Sequence, residues 1–100
     1  MIDLDSAQLE IVQQLLQQHV PEYDVRAFGS RVTGTASRFS DLDLALVGLD
    51  RIEWTRVEAI KDAFAESDLA IMVDVLDWQA ISESFRQQIG DQYELIQKGE

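Results

Sequence analysis

Two aspartates separated by one leucine stand at the start of an apolar run and have the type and spacing of metal ligands. Asp41 and Asp43 flank Leu42 and lead into the sequence LALV. Because side chains alternate on a strand, both carboxylates are expected on one side of the chain, with their Cα atoms about 6 to 7 Å apart. Carboxylates at that separation can share a hard divalent cation such as Mg²⁺. An isolated Asp-x-Asp pair is also compatible with a plain exposed strand start.

A third aspartate, Asp74, lies within the apolar sequence IMVDVL. In a buried strand its charge is costly unless it is paired or metal-bound. Three neighbouring carboxylates repel one another, and a divalent cation relieves that repulsion. Magnesium usually binds one or two carboxylates together with substrate phosphates, so the missing ligand is expected to be a nucleoside triphosphate. Two such ions stabilise the attacking and leaving oxygens of an in-line displacement at phosphorus.

The segment GSRVTGTASR supplies groups that suit a triphosphate. Gly29 directly follows a predicted strand and permits close backbone approach, while Ser30 offers a hydroxyl at the start of a helical turn. Arg31 and Arg38 lie in the same segment and are candidates to hold the phosphates. Standing alone, a Gly-Ser pair more commonly marks a simple turn.

Local patterns predict the elements that position these residues. Helical periodicity and the candidate N-cap Asp5 predict a helix over residues 6–19. Strands are predicted over 25–28, from 41 onward and over 69–78, with further helices over 51–67 and 78–90. Residues 91–100 are compatible with an edge strand or a last helical turn. The order predicts an α/β (α+β) fold with a small mixed sheet flanked by helices, in which Trp54 and Trp78 are core or helix-packing residues.

Composition limits the classes of function. The 100 residues are expected to form a single domain, residues 1–100. With no cysteine and one histidine, thiolate and histidine-rich metal sites are excluded, so any metal is held by oxygen. The net charge of −11 disfavours extended nucleic-acid binding and favours a basic protein partner, although solubility alone would also explain it. The sequence has no signal peptide and no membrane-length apolar run, so we expect a cytoplasmic location.

The spacing of Gly-Ser, Asp-x-Asp and a later strand with one Asp resembles the nucleotidyltransferase superfamily that includes DNA polymerase β. The segment GSRVTGTASRFSDLDLALV is most similar to the minimal nucleotidyltransferases (MNT), which occur as antitoxins beside HEPN ribonuclease toxins. The resemblance implies that Gly29 and Ser30 bind the triphosphate and that Asp41 and Asp43 ligate both metals. It also implies that Asp74 ligates the catalytic metal and helps deprotonate the acceptor. Thr33 stands where many relatives have a second arginine.

The same resemblance implies a Mg²⁺-dependent transfer of AMP from ATP to a hydroxyl, typically a tyrosine of the HEPN toxin, within a hetero-oligomer. One alternative is an antitoxin that only binds and masks its toxin. Another is nucleotidyl transfer to a small molecule or an RNA end, although such enzymes usually carry further domains for the acceptor.

Overall fold

A four-stranded sheet with strand order β3-β2-β1-β4 organises the chain. The computed structural model describes residues 2–37 and 40–100. In chain order, the elements are α1 (Ser6–His19), β1 (Asp24–Phe28), α2 (Ser30–Thr33), β2 (Leu42–Val47), α3 (Trp54–Ala65), β3 (Val73–Asp77), a 3₁₀ turn (Trp78–Ala80), α4 (Glu83–Ile89) and β4 (Glu94–Gln97).

The sheet is mixed, as the sequence predicts. Strand β1 pairs antiparallel with both β2 and β4, whereas β2 pairs parallel with β3. A parallel pair needs a crossover connection, and α3 provides it between β2 and β3. The predicted α/β fold with a small mixed sheet and flanking helices is confirmed.

Helix α1 has the bounds that its sequence predicts. The Asp5 side chain accepts a hydrogen bond of 2.8 Å from the backbone N–H of Gln8 and so caps the first turn. Val12 and Leu16, one turn apart, are fully buried against the sheet and α3. Local capping and helical spacing therefore suffice to define this element.

The two faces of β2 have different surroundings. Leu42, Leu44 and Leu46 are completely buried in the main core, to which α1 and α3 contribute. Asp43 and Ala45 point to the opposite face, where Ala45 packs in a smaller apolar cluster with residues of β1 and α4. The alternation thus places the Asp43 carboxylate on the more open face of the sheet.

Two predicted elements are shorter than expected. The strand predicted over 69–78 begins at Val73. The helix predicted over 78–90 is interrupted, because the Asp77 carboxylate caps the 3₁₀ turn and the Ser82 hydroxyl accepts a 3.1 Å hydrogen bond from Phe85 N–H to start α4. The ambiguous tail contains an edge strand, β4.

The prediction for Trp54 is wrong. Its side chain is 73% exposed at the first position of α3, because that helix is buried farther along, through Ile60 and Phe64. Trp78 packs partly buried against the smaller apolar cluster, as predicted. In the described part of the chain, no helix has the length and apolar character needed to cross a membrane.

Candidate active site

Asp43 and Asp74 lie side by side on neighbouring strands. They are register partners in the parallel β2–β3 pair, where strands run about 4.8 Å apart. Side chains at paired positions of adjacent strands share a face, so both carboxylates project to the face away from the main core. The sheet therefore brings together two of the three predicted aspartates, which are distant in sequence.

The Asp43 carboxyl group is in an unfavourable environment for its charge. Partial burial, followed by the negative charges of Asp74 and Asp41, raises its pKa above the usual value of 3.8. Partial burial and the charges of two neighbouring carboxylates therefore both act against ionisation of Asp43. A cation bound close to this carboxylate would stabilise its ionised form and so oppose the rise in pKa that Asp74 and Asp41 cause.

Asp74 is exposed, contrary to the burial that its apolar sequence neighbours predict. The reason is the strand order: β3 is an edge strand, so position 74 opens to solvent while Val75 on its other face is buried. Asp41, one residue before β2, is also exposed. Both carboxylates are consequently accessible to a metal, a nucleotide or an acceptor molecule.

Gly29 connects β1 to α2 and touches the acidic site. Its backbone has φ of 81° and ψ of −159°, a region essentially restricted to glycine. A Cβ atom at this position would overlap the Asp43 Oδ2 and lie 3.3 Å from its Cγ. The Gly29 carbonyl accepts hydrogen bonds of 3.0 Å from the N–H groups of Val32 and Thr33, which closes the turn that begins at Ser30.

Arg31 supports the loop from within. It is only 6% exposed, and its guanidinium donates hydrogen bonds of 3.0 Å to the carbonyl of Ser40 and 2.7 Å to that of Asp3. These bonds connect the glycine turn to the segment that leads into Asp41 and to the N-terminal segment. The predicted phosphate contact of Arg31 remains a prediction. Arg38, also predicted to bind the nucleotide, lies outside the described residues.

The donor set fits magnesium. Asp41, Asp43 and Asp74 offer only oxygen ligands, and the raised pKa of Asp43 shows charge that a hard cation would stabilise. Within residues 2–37 and 40–100, no three acidic or histidine side chains are grouped so that they could hold an ion by themselves. Magnesium commonly completes its coordination with water and substrate phosphates, so a partial protein ligand set suits it.

A cavity that the sequence analysis missed adjoins Gly29. Its volume is about 190 Å³, and it lies between Phe28, Gly29 and Thr33 on one side and Phe85, Gln88 and Gln92 on the other. The only sequence signal was the apolar stripe of Phe85 and Ile89, which predicts packing rather than an opening. The space arises where α4 and the turn after it approach the glycine turn.

The arrangement of a glycine turn beside paired strand aspartates agrees with the comparison with known families. The model of the family described as polymerase beta, nucleotidyltransferase matches residues 10–99. The chain belongs to this family. The resemblance inferred from the motifs is therefore confirmed, together with the fold and the general class of enzyme.

Several relatives are similar over most of this chain. A probable protein adenylyltransferase MntA of Haemophilus influenzae is 48% identical over 99 residues, which cover 99% of this chain and 87% of the relative. The crystal structure of a toxin–antitoxin with AMP-PNP superimposes with a TM-score of 0.75 at 27% identity, covering 92% of this chain and 73% of the other. A complex of an MNT antitoxin with a tri-AMPylated HEPN toxin of Shewanella oneidensis shows the same fold, with a TM-score of 0.60, 22% identity and coverage of 97% and 74%.

Proposed function

We propose that this protein transfers the AMP moiety of ATP to a hydroxyl group of a partner toxin and thereby neutralises it. The observation that carries the proposal is the contact of Gly29 with Asp43 beside Asp74, in a chain 48% identical to a protein adenylyltransferase. The structure with AMP-PNP, which has a similar fold, supports ATP as the donor.

Asp41, Asp43 and Asp74 are the residues that would hold magnesium. When bound there, Mg²⁺ supplies charge compensation for the attacking and leaving oxygens of a displacement at phosphorus. Asp43 is the central ligand in this proposal, since it is two residues from Asp41 and is the register partner of Asp74. Ser30 and the glycine turn receive the triphosphate, and Arg31 keeps that turn in place.

The reaction proceeds by one in-line exchange at the α-phosphorus. Asp74, exposed at the edge of the sheet, accepts the proton of the acceptor hydroxyl. The acceptor oxygen then forms a bond to the α-phosphorus as the bond from that phosphorus to the bridging oxygen breaks. Pyrophosphate leaves with the electron pair of the broken bond, and the acceptor retains the AMP group.

The acceptor is proposed to be a tyrosine of a basic HEPN-type toxin, bound in a hetero-oligomer. The net charge of −11 supports a basic partner, because complementary charge accelerates encounter between proteins. We further propose that residues 1–100 act as one nucleotidyltransferase domain, since all four strands join one sheet. A cytoplasmic location is consistent with a ribonuclease toxin as target.

The decisive experiment combines the purified protein with a basic HEPN-type toxin encoded by a neighbouring gene, if that gene is present, or otherwise with the HEPN toxin of a relative, together with ATP and Mg²⁺ at low salt. We expect mass increments of whole adenylyl groups on a tyrosine peptide of the toxin and a parallel fall in ribonuclease activity. Equal neutralisation by the Asp41→Asn/Asp43→Asn variant without any added mass would instead establish a binding-only antitoxin. Absence of both complex and modification would overturn the antitoxin function and favour a small-molecule acceptor.

A further inference from the structure

We propose that the groove beside Trp54, between α3 and the edge strand β3, is a docking surface for the acceptor protein. This inference rests on the proposed function and adds to it the place where that protein is held, away from the reacting atoms. The groove has a volume of about 290 Å³. Its occupant is the basic surface of the acceptor protein, with an apolar side chain that enters the groove.

Trp54 is an exposed aromatic side chain on the wall of this groove. It is 73% exposed at the first position of α3, so it contributes little to the core. Tryptophan is largely buried in most proteins, and in protein interfaces it is among the residues that contribute most to binding. Burial of this ring by a partner would supply binding energy that the isolated chain does not use.

The groove itself is apolar. Val57, Leu76 and Ile81 line it and are only partly buried. Ala80, in the 3₁₀ turn, is exposed and leaves space because its side chain is small. Together with Trp54, these residues form an exposed apolar patch with charged residues at its edge, which is typical of an interaction site.

The groove lies across the open edge of the sheet. Val75 and Leu76 both line it, although Val75 belongs to the main core and Leu76 packs against the smaller apolar cluster on the other face. Strand β3 is the last strand in the order β3-β2-β1-β4, so a partner can approach it from outside the sheet.

The same strand connects the groove with the reaction centre. Asp77 lines the groove and follows Asp74 by three residues, which places their Cα atoms within about 10 Å at the rise of a strand. The glycine turn follows β1, on the far side of β2 from Asp74. An acceptor protein that reaches Asp74 from the outer edge can therefore cover the groove while the glycine turn holds the nucleotide.

The charges around the groove favour a basic partner. Glu58 and Asp77 line it, and Lys61, which also lines it, lies 3.8 Å from Glu58. Lys61 is shared with the next cavity along β3, where Asp62 and Asp74 add two acidic side chains. A second copy of this chain is an unsuitable occupant, because each copy has the same net charge of −11. A basic acceptor protein is attracted to this surface.

The test measures the affinity of the wild type, Trp54→Ala and Ala80→Arg for the same HEPN-type toxin that serves as acceptor in the transfer experiment. Because both residues are exposed, the variants should keep the melting temperature of the wild type. We expect each to weaken toxin binding at least about tenfold, as loss of one interface anchor does. KM for the toxin should rise by a similar factor at unchanged kcat, and affinity for Mg·ATP should not change.

Two variants outside the groove are the controls. Leu95→Ala truncates a 45% exposed side chain on β4, the opposite edge of the sheet, and Ala7→Arg adds the same charge to an exposed position of α1. Neither residue lines the groove, so both variants should bind the toxin as the wild type does.

The outcomes distinguish this surface from the proposed function. Unchanged toxin affinity and KM in both groove variants would overturn the docking surface and leave adenylyl transfer standing. An equal loss of affinity in the controls would also overturn it, because the effect would not be specific to the groove. A wild type that binds the toxin without adding AMP would overturn the transfer, whereas a selective loss of binding in the groove variants would still support the surface. A wild type that neither binds nor modifies the toxin would overturn both.

Discussion

Gly29 and Asp43 are packed so closely that position 29 has no room for a side chain: a Cβ there would overlap the Asp43 Oδ2. This contact unites the turn that would receive phosphate with the carboxylate that would hold metal. A change in either residue is therefore expected to displace the other.

The first prediction concerns Gly29→Ala. It should destabilise the fold by about 1–3 kcal/mol through backbone strain and, by displacing Asp43, abolish Mg·ATP binding. Gly34→Ala is the matched control, because Gly34 also has positive φ, 87°, but its Cβ would meet nothing within 4 Å. Thermal unfolding and calorimetry on both variants provide the check. Equal loss of nucleotide affinity in the two would show that the contact with Asp43 has no part in binding.

The second prediction concerns the metal ligands. Asp41→Asn/Asp43→Asn should lose Mg·ATP binding, yet in EDTA should be no less stable than the wild type. The raised pKa of Asp43 means that its ionised form opposes folding at neutral pH, and this penalty diminishes as pH falls through that pKa. Any stability advantage of the variant should therefore shrink in acid.

The matched control for this variant is Asp50→Asn/Asp68→Asn, which removes the same charge from exposed positions elsewhere. Denaturant unfolding with and without Mg²⁺ measures stability, and calorimetry measures nucleotide binding. Unchanged Mg·ATP affinity in Asp41→Asn/Asp43→Asn would rule out these residues as the metal site.

The third prediction separates binding from chemistry at β3. Asp74→Asn should still bind Mg·ATP through Asp41 and Asp43, but it should transfer AMP at least about 10²-fold more slowly, because it removes the positioned proton acceptor. Asp77→Asn, on the same strand, is the comparison. The Asp77 carboxylate accepts hydrogen bonds from the N–H groups of Ile52 and Gln79, so this variant should affect stability more than the rate of transfer. Full transfer activity in Asp74→Asn, measured at equal folded concentration, would leave that residue without a catalytic role.

The fourth prediction concerns acid stability at the end of α1. Arg56 donates to both carboxylate oxygens of Glu22, at 2.7 and 2.8 Å, and to the carbonyl of His19 at 2.9 Å. The hydrogen bond from Arg56 lowers the pKa of Glu22 from 4.5 to about 2. Stability from this pair should be present above pH 4.5 and be lost as pH falls towards 2.

Melting temperatures of the wild type and Glu22→Gln between pH 7 and pH 2 test this dependence. Their difference should be constant near neutrality and narrow in acid, and added salt should reduce it because the pair is exposed. Glu58→Gln, which breaks a longer pair of 3.8 Å with Lys61, is the control. A difference that stays the same from pH 7 to pH 2 would contradict the assignment to the Glu22 carboxylate.

Local features of the sequence were sufficient for much of the architecture. The cap at Asp5 and the spacing of Val12 and Leu16 predicted α1 with its observed bounds, since both act within a few residues. Alternation along β2 correctly placed the leucines and Asp43 on opposite faces. The family motifs likewise lie in short segments, so the nucleotidyltransferase fold could be recognised before any coordinates were known.

The remaining features depended on which elements became neighbours. Asp74 is exposed because β3 forms the edge of the sheet. Trp54 is exposed because α3 packs on the core through its second half. Neither arrangement can be inferred from the residues next to Asp74 or Trp54 in the sequence. The contact between Gly29 and Asp43 requires the β1–β2 register, and the cavity next to it requires α4 to fold back from far along the chain. The burial of each residue and the contacts between distant residues are set by packing between segments that are far apart in the sequence. The periodicity of a single segment contains no information about which other segments it packs against.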